Sequence, residues 1–445
     1  MDSSNSFHAE AQIAWSVLRD WLNQDEEGQT ILANFQSNPY SNATALAKCL
    51  ETRSVKVPSQ LATYFSGGQV DKLVNIAQAG VVLLKPSPSS NSLISDSQLP
   101  GKPYRKLVGR DRLISDIIAA LRDLQGKWIV ALDGMGGIGK TALAREVAEL
   151  CIEENLFDLV VWEEAPKKEF TAGELKATTT VLTFEGVLDA IGRQLGNLDV
   201  PKLNRTEKER RVKALLHKRR VLIVLDNLET AGEPQNEIAS QLQQFLNPSK
   251  ALLTSRHRFQ GDLYRINLKG LEEYGALRLI RQEAEDKGIN RVGIAEDDEL
   301  EPIARITGGS PLALKLVIGQ LGYLDLDIVL NRLSQVHLPE EGADEDDYVR
   351  FYKFIFFPSW RLLSSDGKKL LVSMSRFAPG VGGTVEAVKA TSRLVEDVLI
   401  GKIDELWRLS FLEIGKSRSL REQLRYYLHA LTKYFVLSDI VRVLR

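Results

Sequence analysis

A glycine-rich segment, Gly134 to Thr141, is the strongest chemical signal in the sequence. It reads GMGGIGKT and matches the pattern GxxxxGK[ST]. Glycines let backbone N–H groups close around a phosphate, and a helix that begins near Lys140 points its positive end at the same anion. We expect Lys140 to reach the β- and γ-phosphates and the Thr141 hydroxyl to bind Mg²⁺. The segment therefore predicts a nucleoside triphosphate site.

A Mg²⁺ ion bound to phosphates needs a carboxylate at the end of a neighbouring strand. The segment VLIVLD ends in Asp226 and has the apolar run expected of a strand buried on both faces. Asn227 stands where many ATPases place a second acid that activates water, and an amide is a poor general base. Glu229 is close in sequence and is a possible substitute. The sequence thus predicts slow hydrolysis, or hydrolysis that needs help.

An arginine follows the next apolar strand. Residues 250–254 are followed by Ser255 and Arg256. An arginine at the tip of a strand beside the nucleotide strand can sense or stabilise the γ-phosphate. An arginine outside such a context would more often lie on the surface. The place of Arg256 after this strand favours a role in contacting the γ-phosphate.

These residues need a parallel sheet to bring them together, and the pattern from 107 to 254 predicts one. Strands separated by helices indicate βαβ units. The apolar spacing from 271 to about 336 is helical only, and residues 350–445 indicate helices with one or two short strands. The predicted strands are 127–133, 158–162, 220–226 and 250–254, and the predicted helices are 111–124, 140–154, 184–195 and 236–246.

Composition shifts divide the chain. A segment rich in Pro and Ser (85–103) and an acidic run (338–348) are typical of linkers. The predicted organisation is a mostly helical N-terminal domain (1–84), a linker (85–103), an α/β nucleotide-binding domain (104–270), a helical subdomain (271–337), an acidic linker (338–348) and a C-terminal domain (349–445).

The overall composition excludes several classes of protein. The 445 residues include 57 Lys and Arg against 59 Asp and Glu, so no global basic charge indicates nucleic acid or an anionic membrane. Two cysteines cannot build a disulfide framework. The start MDSSNSFHAE is not a signal peptide, and no apolar run approaches the roughly 20 residues of a membrane helix. We expect a soluble, cytoplasmic protein without membrane contact.

The order of these motifs resembles the NB-ARC family of STAND P-loop NTPases. The matching segments are LVGRD (107–111), GMGGIGKT (134–141), LIVLDN (222–227), TSR (254–256), GGSPLAL (308–314) and YLHAL (427–431). The resemblance implies a multidomain α/β plus α fold, in which a P-loop NTPase sheet is followed by a helical subdomain and a winged-helix domain.

The resemblance also implies roles for single residues toward ATP or ADP with Mg²⁺. Val108 and Arg110 would lie near the adenine, Pro311 would pack against the nucleotide, and His429 would contact the β-phosphate of ADP. Lys140, Asp226 and Arg256 would carry catalysis, with Thr141 and Asp226 holding Mg²⁺. The implied loop contacts are Gly134, Gly136, Gly137, Ile138, Gly139, Lys140, Thr141 and Ala142.

By this resemblance the protein is a nucleotide-driven switch and a slow ATPase. ADP would hold it closed, and ATP would open it for homo-oligomerisation, so that residues 1–84 meet an effector or adaptor protein. The chain stops after the winged-helix segment, which implies a separate sensor protein or a fragment. Ala430 stands where the family usually has an aspartate, which weakens the expected latch.

Two other functions stay open. A winged helix can enter the DNA major groove. Residues 416–425 carry only four basic residues in ten, which is a modest basic patch. DNA is therefore a less favoured partner. A constitutive ATPase that powers a partner is disfavoured by Asn227, since fast turnover needs an efficient base.

Overall fold

The computed structural model describes Gln29 and residues 99–104, 106–165, 169–171, 174–176, 182–335, 345–377, 381–416 and 424–440. The predicted N-terminal domain (apart from Gln29) and residues 85–98 of the predicted linker lie outside this part. The basic residues Arg418 and Arg421 of the suggested DNA-binding patch also lie outside it.

The first part of the described chain alternates helices and strands. Thr183 and Asn204 cap two of these helices, each accepting a hydrogen bond from a backbone N–H of the first turn. The elements are α1 (Asp111–Arg122), β1 (Ile129–Asp133), α2 (Lys140–Glu153), β2 (Leu159–Glu164), β3 (Glu169–Thr171), β4 (Glu174–Lys176), α3 (Phe184–Gln194), α4 (Arg205–Lys218), β5 (Val221–Asp226), α5 (Gln235–Gln243), β6 (Lys250–Ser255) and β7 (Tyr264–Asn267), with 3₁₀ turns at Val200–Lys202 and Leu228–Thr230.

Five strands form one parallel sheet in the order β2–β5–β6–β1–β7. β1, β5 and β6 are buried along their whole length, because helices cover both faces of the sheet. Two apolar clusters lie on the two faces. This confirms the predicted P-loop NTPase sheet, and it places the ends of β1, β2, β5 and β6 at one edge.

The predicted strands and helices are present, with shifted ends. β2 continues to Glu164, two residues beyond the predicted end, and α1 stops at Arg122 rather than at 124. The sequence analysis missed α4 and β7. α4 is rich in charge and exposes most of its surface, so its apolar pattern is weak.

The middle of the chain is helical, as predicted for 271–336. Its elements are α6 (Glu273–Asp286), α7 (Asn290–Ile294), α8 (Asp297–Ile306), α9 (Pro311–Leu321) and α10 (Leu326–Leu333). Pro311 is the first residue of α9, where its missing N–H costs nothing.

The last described part combines helices with one antiparallel hairpin. Its elements are α11 (Glu345–Leu362), α12 (Ser365–Met374), α13 (Val385–Ser392), α14 (Glu396–Arg408), β8 (Leu412–Lys416), β9 (Leu424–Leu428) and α15 (Ala430–Phe435), which continues as a π-helical turn at Val436–Ile440. α11 begins at Glu345, inside the predicted acidic linker 338–348, so its first four residues belong to a helix.

The two helical parts share one continuous apolar core. It runs from Leu271 in the first part to Ile440 in the second and includes the fully buried Leu314, Phe356 and Phe411. The predicted border between a helical subdomain and a C-terminal domain therefore crosses a common core. Within the described residues, no helix combines the length and the apolarity that crossing a membrane would require.

Candidate nucleotide-binding site

The loop between β1 and α2 has a backbone that depends on glycine. Gly137 and Gly139 adopt φ angles of 76° and 100°, in the left-handed region that side chains with a Cβ rarely enter. A Cβ on Gly137 would stand 2.9 Å from the Tyr352 hydroxyl oxygen. The loop therefore turns directly into the N-terminus of α2, whose first N–H groups lack intrahelical partners and can bind an anion.

Lys140 is the first residue of α2, and its side chain reaches back into this loop. Its Nζ donates hydrogen bonds to the carbonyl oxygens of Gly134 and Met135, at 2.7 and 2.9 Å. Burial lowers the pKa of Lys140 to about 8, partly offset by Glu229 and other nearby acids. Because these carbonyl groups are uncharged acceptors, a phosphate would offer the ammonium a stronger, charged acceptor.

Thr141 and Asp226 meet at the ends of α2 and β5. The Thr141 hydroxyl lies 2.9 and 3.0 Å from the two carboxylate oxygens of Asp226. Asp226 is fully buried, and the Thr254 hydroxyl also donates to it. A hydroxyl and a carboxylate beside a phosphate loop are the oxygen donors that Mg²⁺ prefers, so these residues fit the ion.

Arg256 and Glu229 form a pair beside the loop. Arg256 Nε lies 3.0 Å from one Glu229 oxygen, and the Arg256 N–H donates to the other at 3.1 Å. The Arg256 guanidinium also lies close to Gly136, since a Cβ there would stand 3.6 Å from it. Arg256 is thus beside the loop as expected, and both oxygens of Glu229 are engaged by it.

The start of α9 closes the loop from one side. The Leu312 N–H points at the carbonyl oxygen of Gly137, 3.4 Å away, and Pro311 lines the space in front of the loop. Gly270 packs so tightly on this turn that a Cβ would stand 1.8 Å from the Gly308 carbonyl oxygen. The GGSPLAL segment therefore lies against the phosphate loop.

Tyr352 of α11 packs against the phosphate loop from another side, and the sequence analysis did not predict this contact. Its hydroxyl donates to the Gly136 carbonyl oxygen at 2.8 Å and lies 2.6 Å from the Ser310 hydroxyl. Burial raises its pKa to about 12, so the phenol keeps its proton. A tyrosine in an aromatic-rich helix, YVRFYKFIFF, gave no signal that would separate it from core residues.

His429 caps the helix after the C-terminal hairpin. Its Nδ1 accepts the Leu431 N–H at 3.1 Å, which fixes the orientation of the imidazole ring. His429 lines the same space as the loop, as do Leu428 and Ala430. The predicted contact with a β-phosphate stays a prediction.

Val108 and Arg110 precede α1. Val108 is buried against the helical part and shares its core with Leu271. Arg110 donates to the Lys269 carbonyl oxygen at 2.7 Å and the Ile138 carbonyl oxygen at 3.3 Å, and burial lowers its pKa to about 10. Both residues lie at the junction of the sheet and the helical part.

One cavity of about 490 Å³ unites these groups. Its volume falls within the range of small-molecule sites. Ile138 lines it but is a fully buried core residue, so it can offer mainly its backbone. Gly134 is not in the lining and packs on Leu268 instead. The lining includes the predicted residues Val108, Arg110, Gly136, Gly137, Ile138, Gly139, Lys140, Thr141, Ala142, Asp226, Arg256, Pro311 and His429.

Comparison with known proteins agrees with this geometry. The NB-ARC domain family matches residues 110–284, from Arg110 through the sheet and into α6. The chain carries an NB-ARC domain. The predicted resemblance to NB-ARC P-loop NTPases is thus confirmed for this part of the chain.

The NB-ARC chain is similar to proteins of bacteria, plants and archaea. It is 23% identical over 364 residues to the transcription activator GutR of Bacillus subtilis, covering 75% of this chain and 40% of that protein. It is 24% identical over 221 residues to the TMV resistance protein N of Nicotiana glutinosa, covering 48% and 18%. The matched part thus spans well under half the length of these relatives.

One similar solved structure is that of a STAND protein with a tetratricopeptide repeat sensor from Pyrococcus horikoshii. It aligns with a TM-score of 0.48 and 18% identity, covering 80% of this chain and 44% of that chain.

A group of charged side chains lines another part of the cavity wall. Lys315 of α9 lies 2.8 Å from Glu413 of β8 and 3.4 Å from Glu283 of α6. Lys287 lies 2.9 Å from Glu283 and donates to the Ser410 hydroxyl. Burial disfavours the negative charge of Glu283, but the nearby Lys315 and Lys287 lower the pKa of Glu283 to about 2. These ion pairs join the helical part to the hairpin.

Residues 99–104 enter the NB-ARC domain between helix α2 and the C-terminal hairpin. The Arg145 guanidinium donates to the Pro100 carbonyl oxygen at 2.8 Å, and Lys102 pairs with Glu146 and Glu149. On the other side, a Cβ on Gly415 would stand 2.2 Å from the Lys102 carbonyl oxygen. The end of the predicted linker is therefore packed into the structure.

Proposed function

We propose that this protein is a signalling switch set by bound ADP or ATP. The observation that carries the proposal is that one cavity is walled by three parts of the chain. The NB-ARC sheet contributes the phosphate loop, α9 contributes Pro311, and the C-terminal part contributes His429. A nucleotide in this cavity would touch all three, so its loss or exchange would change how they pack.

The phosphate loop would bind the phosphates by its backbone N–H groups and by Lys140. Lys140 would exchange the carbonyl oxygens of Gly134 and Met135 for a charged phosphate oxygen. Mg²⁺, when bound, would be held by Thr141 and Asp226 and would neutralise phosphate charge.

The two nucleotides would favour different states because they touch different residues. ADP would bring its β-phosphate to His429 and stabilise the closed arrangement. ATP would add a γ-phosphate that the terminal nitrogens of Arg256 can contact while Nε keeps its pair with Glu229. A ligand shifts such an equilibrium only by its differential affinity for the two states. Because ADP and ATP would contact different residues, they would differ in their affinity for these states.

The C-terminal part would transmit this change in packing to the N-terminal region. In the described structure it forms helices followed by a hairpin, which we take as the winged helix. Residues 99–104 lie between this hairpin and α2. Movement of the hairpin would release residues 99–104. In that state residues 1–84 would serve homo-oligomerisation and would bind an effector or adaptor protein.

The nucleotide carried by the purified protein tests the proposal. The protein is denatured without prior exposure to nucleotide, and the released compound is identified by chromatography. We expect close to one ADP per chain, and less ADP in a His429→Ala variant because one β-phosphate contact is gone. A chain that neither carries nor binds ATP or ADP would exclude the switch.

A second candidate is a nucleotide-controlled regulator of transcription. The observation that favours it is the similarity to a transcription activator over 75% of this chain. Fluorescence anisotropy with duplex DNA, at increasing salt and with ADP or ATP, tests it. Binding that depends on the nucleotide and weakens with salt would support it, and no binding at low salt would remove it.

A further inference from the structure

A carboxylate beyond the predicted end of β2 lines the same cavity as the phosphate loop. Glu164 is the last residue of β2 and is paired in register with Asp226 of β5. Neighbouring strands are about 4.8 Å apart, so the two residues lie side by side at the edge of the sheet. Glu164 also lines the cavity that holds Lys140 and Thr141.

Asn227 holds this carboxylate. The Asn227 side-chain amide donates to Glu164 Oε1 at 2.9 Å and to Asp226 Oδ2 at 3.1 Å. Ionised carboxylates only accept hydrogen bonds, so a group that bridges two of them must be a donor, as an amide is. An acid at position 227 would instead place three carboxylates together, and its charge would repel both neighbours.

The backbone fixes Asn227 in this role. Its φ is 61°, a left-handed conformation that asparagine tolerates better than most residues. Its N–H donates to the Thr254 hydroxyl at 3.0 Å, and its carbonyl oxygen accepts from the Thr230 hydroxyl at 2.9 Å. The amide is thus held in one orientation, with Glu164 as one of its two acceptors.

The other acid suggested by the sequence is committed elsewhere. Both oxygens of Glu229 contact Arg256, one through the guanidinium and one through the backbone N–H. Glu164 accepts a hydrogen bond from the Asn227 amide at the edge of the cavity, beside the residues expected to hold Mg²⁺.

We propose that Glu164 replaces the acid missing at position 227 and accepts the proton of the attacking water when ATP is hydrolysed. The water oxygen bonds to the γ-phosphorus, the bond from that phosphorus to the β–γ bridging oxygen breaks, and ADP and inorganic phosphate leave. The water proton passes to the Glu164 carboxylate and then to solvent. This inference rests on the proposed nucleotide-binding function and assigns the residue that activates water in that site.

The test compares Glu164→Gln with Glu163→Gln in the full chain. Glutamine keeps the size of the side chain and an acceptor for the Asn227 amide, and it cannot take the proton. Glu163 is the preceding acid of the same strand and does not line the cavity, so it is a matched control. The readouts are affinity for fluorescent ATP, single-turnover hydrolysis, and the nucleotide carried by the purified protein.

For Glu164→Gln we expect affinity within about threefold of wild type and hydrolysis slower by about 10² or more, the usual contribution of a general base. We also expect it to carry ATP where wild type and Glu163→Gln carry ADP. Hydrolysis equal to wild type would overturn the inference and leave the nucleotide-binding function standing. Loss of ATP affinity would assign Glu164 to binding or folding and would also overturn it. A wild-type chain that binds no nucleotide would remove both proposals.

Discussion

The hydroxyl of Tyr352 donates a hydrogen bond to the carbonyl oxygen of Gly136, although 216 residues separate them in sequence. Tyr352 is only 1% exposed, and the same hydroxyl contacts Ser310. One phenol thus joins the phosphate loop, the start of α9 and the C-terminal part. Any change in how these three parts pack must break or move this contact.

Tyr352→Phe should speed the release of bound ADP. The substitution leaves the Gly136 carbonyl oxygen and the Ser310 hydroxyl short of a partner in a buried place, which costs about 1–3 kcal/mol. If that cost falls on the closed state, release becomes about 5- to 150-fold faster. Stopped-flow release of fluorescent ADP measures it. Tyr434→Phe, at a more exposed tyrosine, is the control, and equal release rates in all three proteins would contradict the prediction.

Lys140→Ala should weaken ATP and ADP binding by at least about tenfold. The change removes a charge-assisted hydrogen bond, which contributes about 1.5–3 kcal/mol. Isothermal titration calorimetry measures the affinity. Lys213→Ala, at an exposed position of α4, should bind like wild type, whereas tight ATP binding by Lys140→Ala would argue against a phosphate role for the loop.

Gly415→Ala should loosen residues 99–104, because its Cβ would stand 2.2 Å from the Lys102 carbonyl oxygen. Gly401→Ala is a matched control, since a Cβ there meets nothing within 4 Å. Hydrogen exchange followed by mass spectrometry should show faster exchange in peptides covering 99–104 for Gly415→Ala only. The same exchange in both variants would mean that the hairpin does not hold this segment.

Glu283→Gln should destabilise the protein at pH 7, and the difference from wild type should narrow in acid. The pKa of Glu283 is held at about 2 in the folded chain against an ordinary value of 4.5. A lowered pKa gives stability that is present above the ordinary value and is lost as the pH falls toward the folded value. We expect the free-energy difference to shrink by about 1.4 kcal/mol between pH 7 and pH 3.5.

Thermal unfolding at several pH values measures this difference. Glu285→Gln, at an exposed glutamate of the same helix, is the control. A difference between wild type and Glu283→Gln that stays constant with pH would show that the ion pairs with Lys287 and Lys315 do not stabilise the fold.

The sequence by itself was enough to predict the phosphate loop, the parallel sheet and the resemblance to the NB-ARC domain family. The loop is a local structure, in which glycine conformations and the start of α2 follow from neighbouring residues such as Gly139 and Lys140. Apolar runs like VLIVLD mark strands buried on both faces, so β5 and its terminal Asp226 were predictable.

Tertiary structure decided which distant residues complete the cavity. Glu164 was missed because β2 runs two residues past its apolar stretch, and only its pairing with β5 brings that acid beside Asp226. Tyr352, Lys315 and Glu413 come from helices and a hairpin that give no sign of their orientation in sequence. Their positions depend on packing around one core shared by residues 271–440, and such long-range packing is determined by the whole chain rather than by any local pattern.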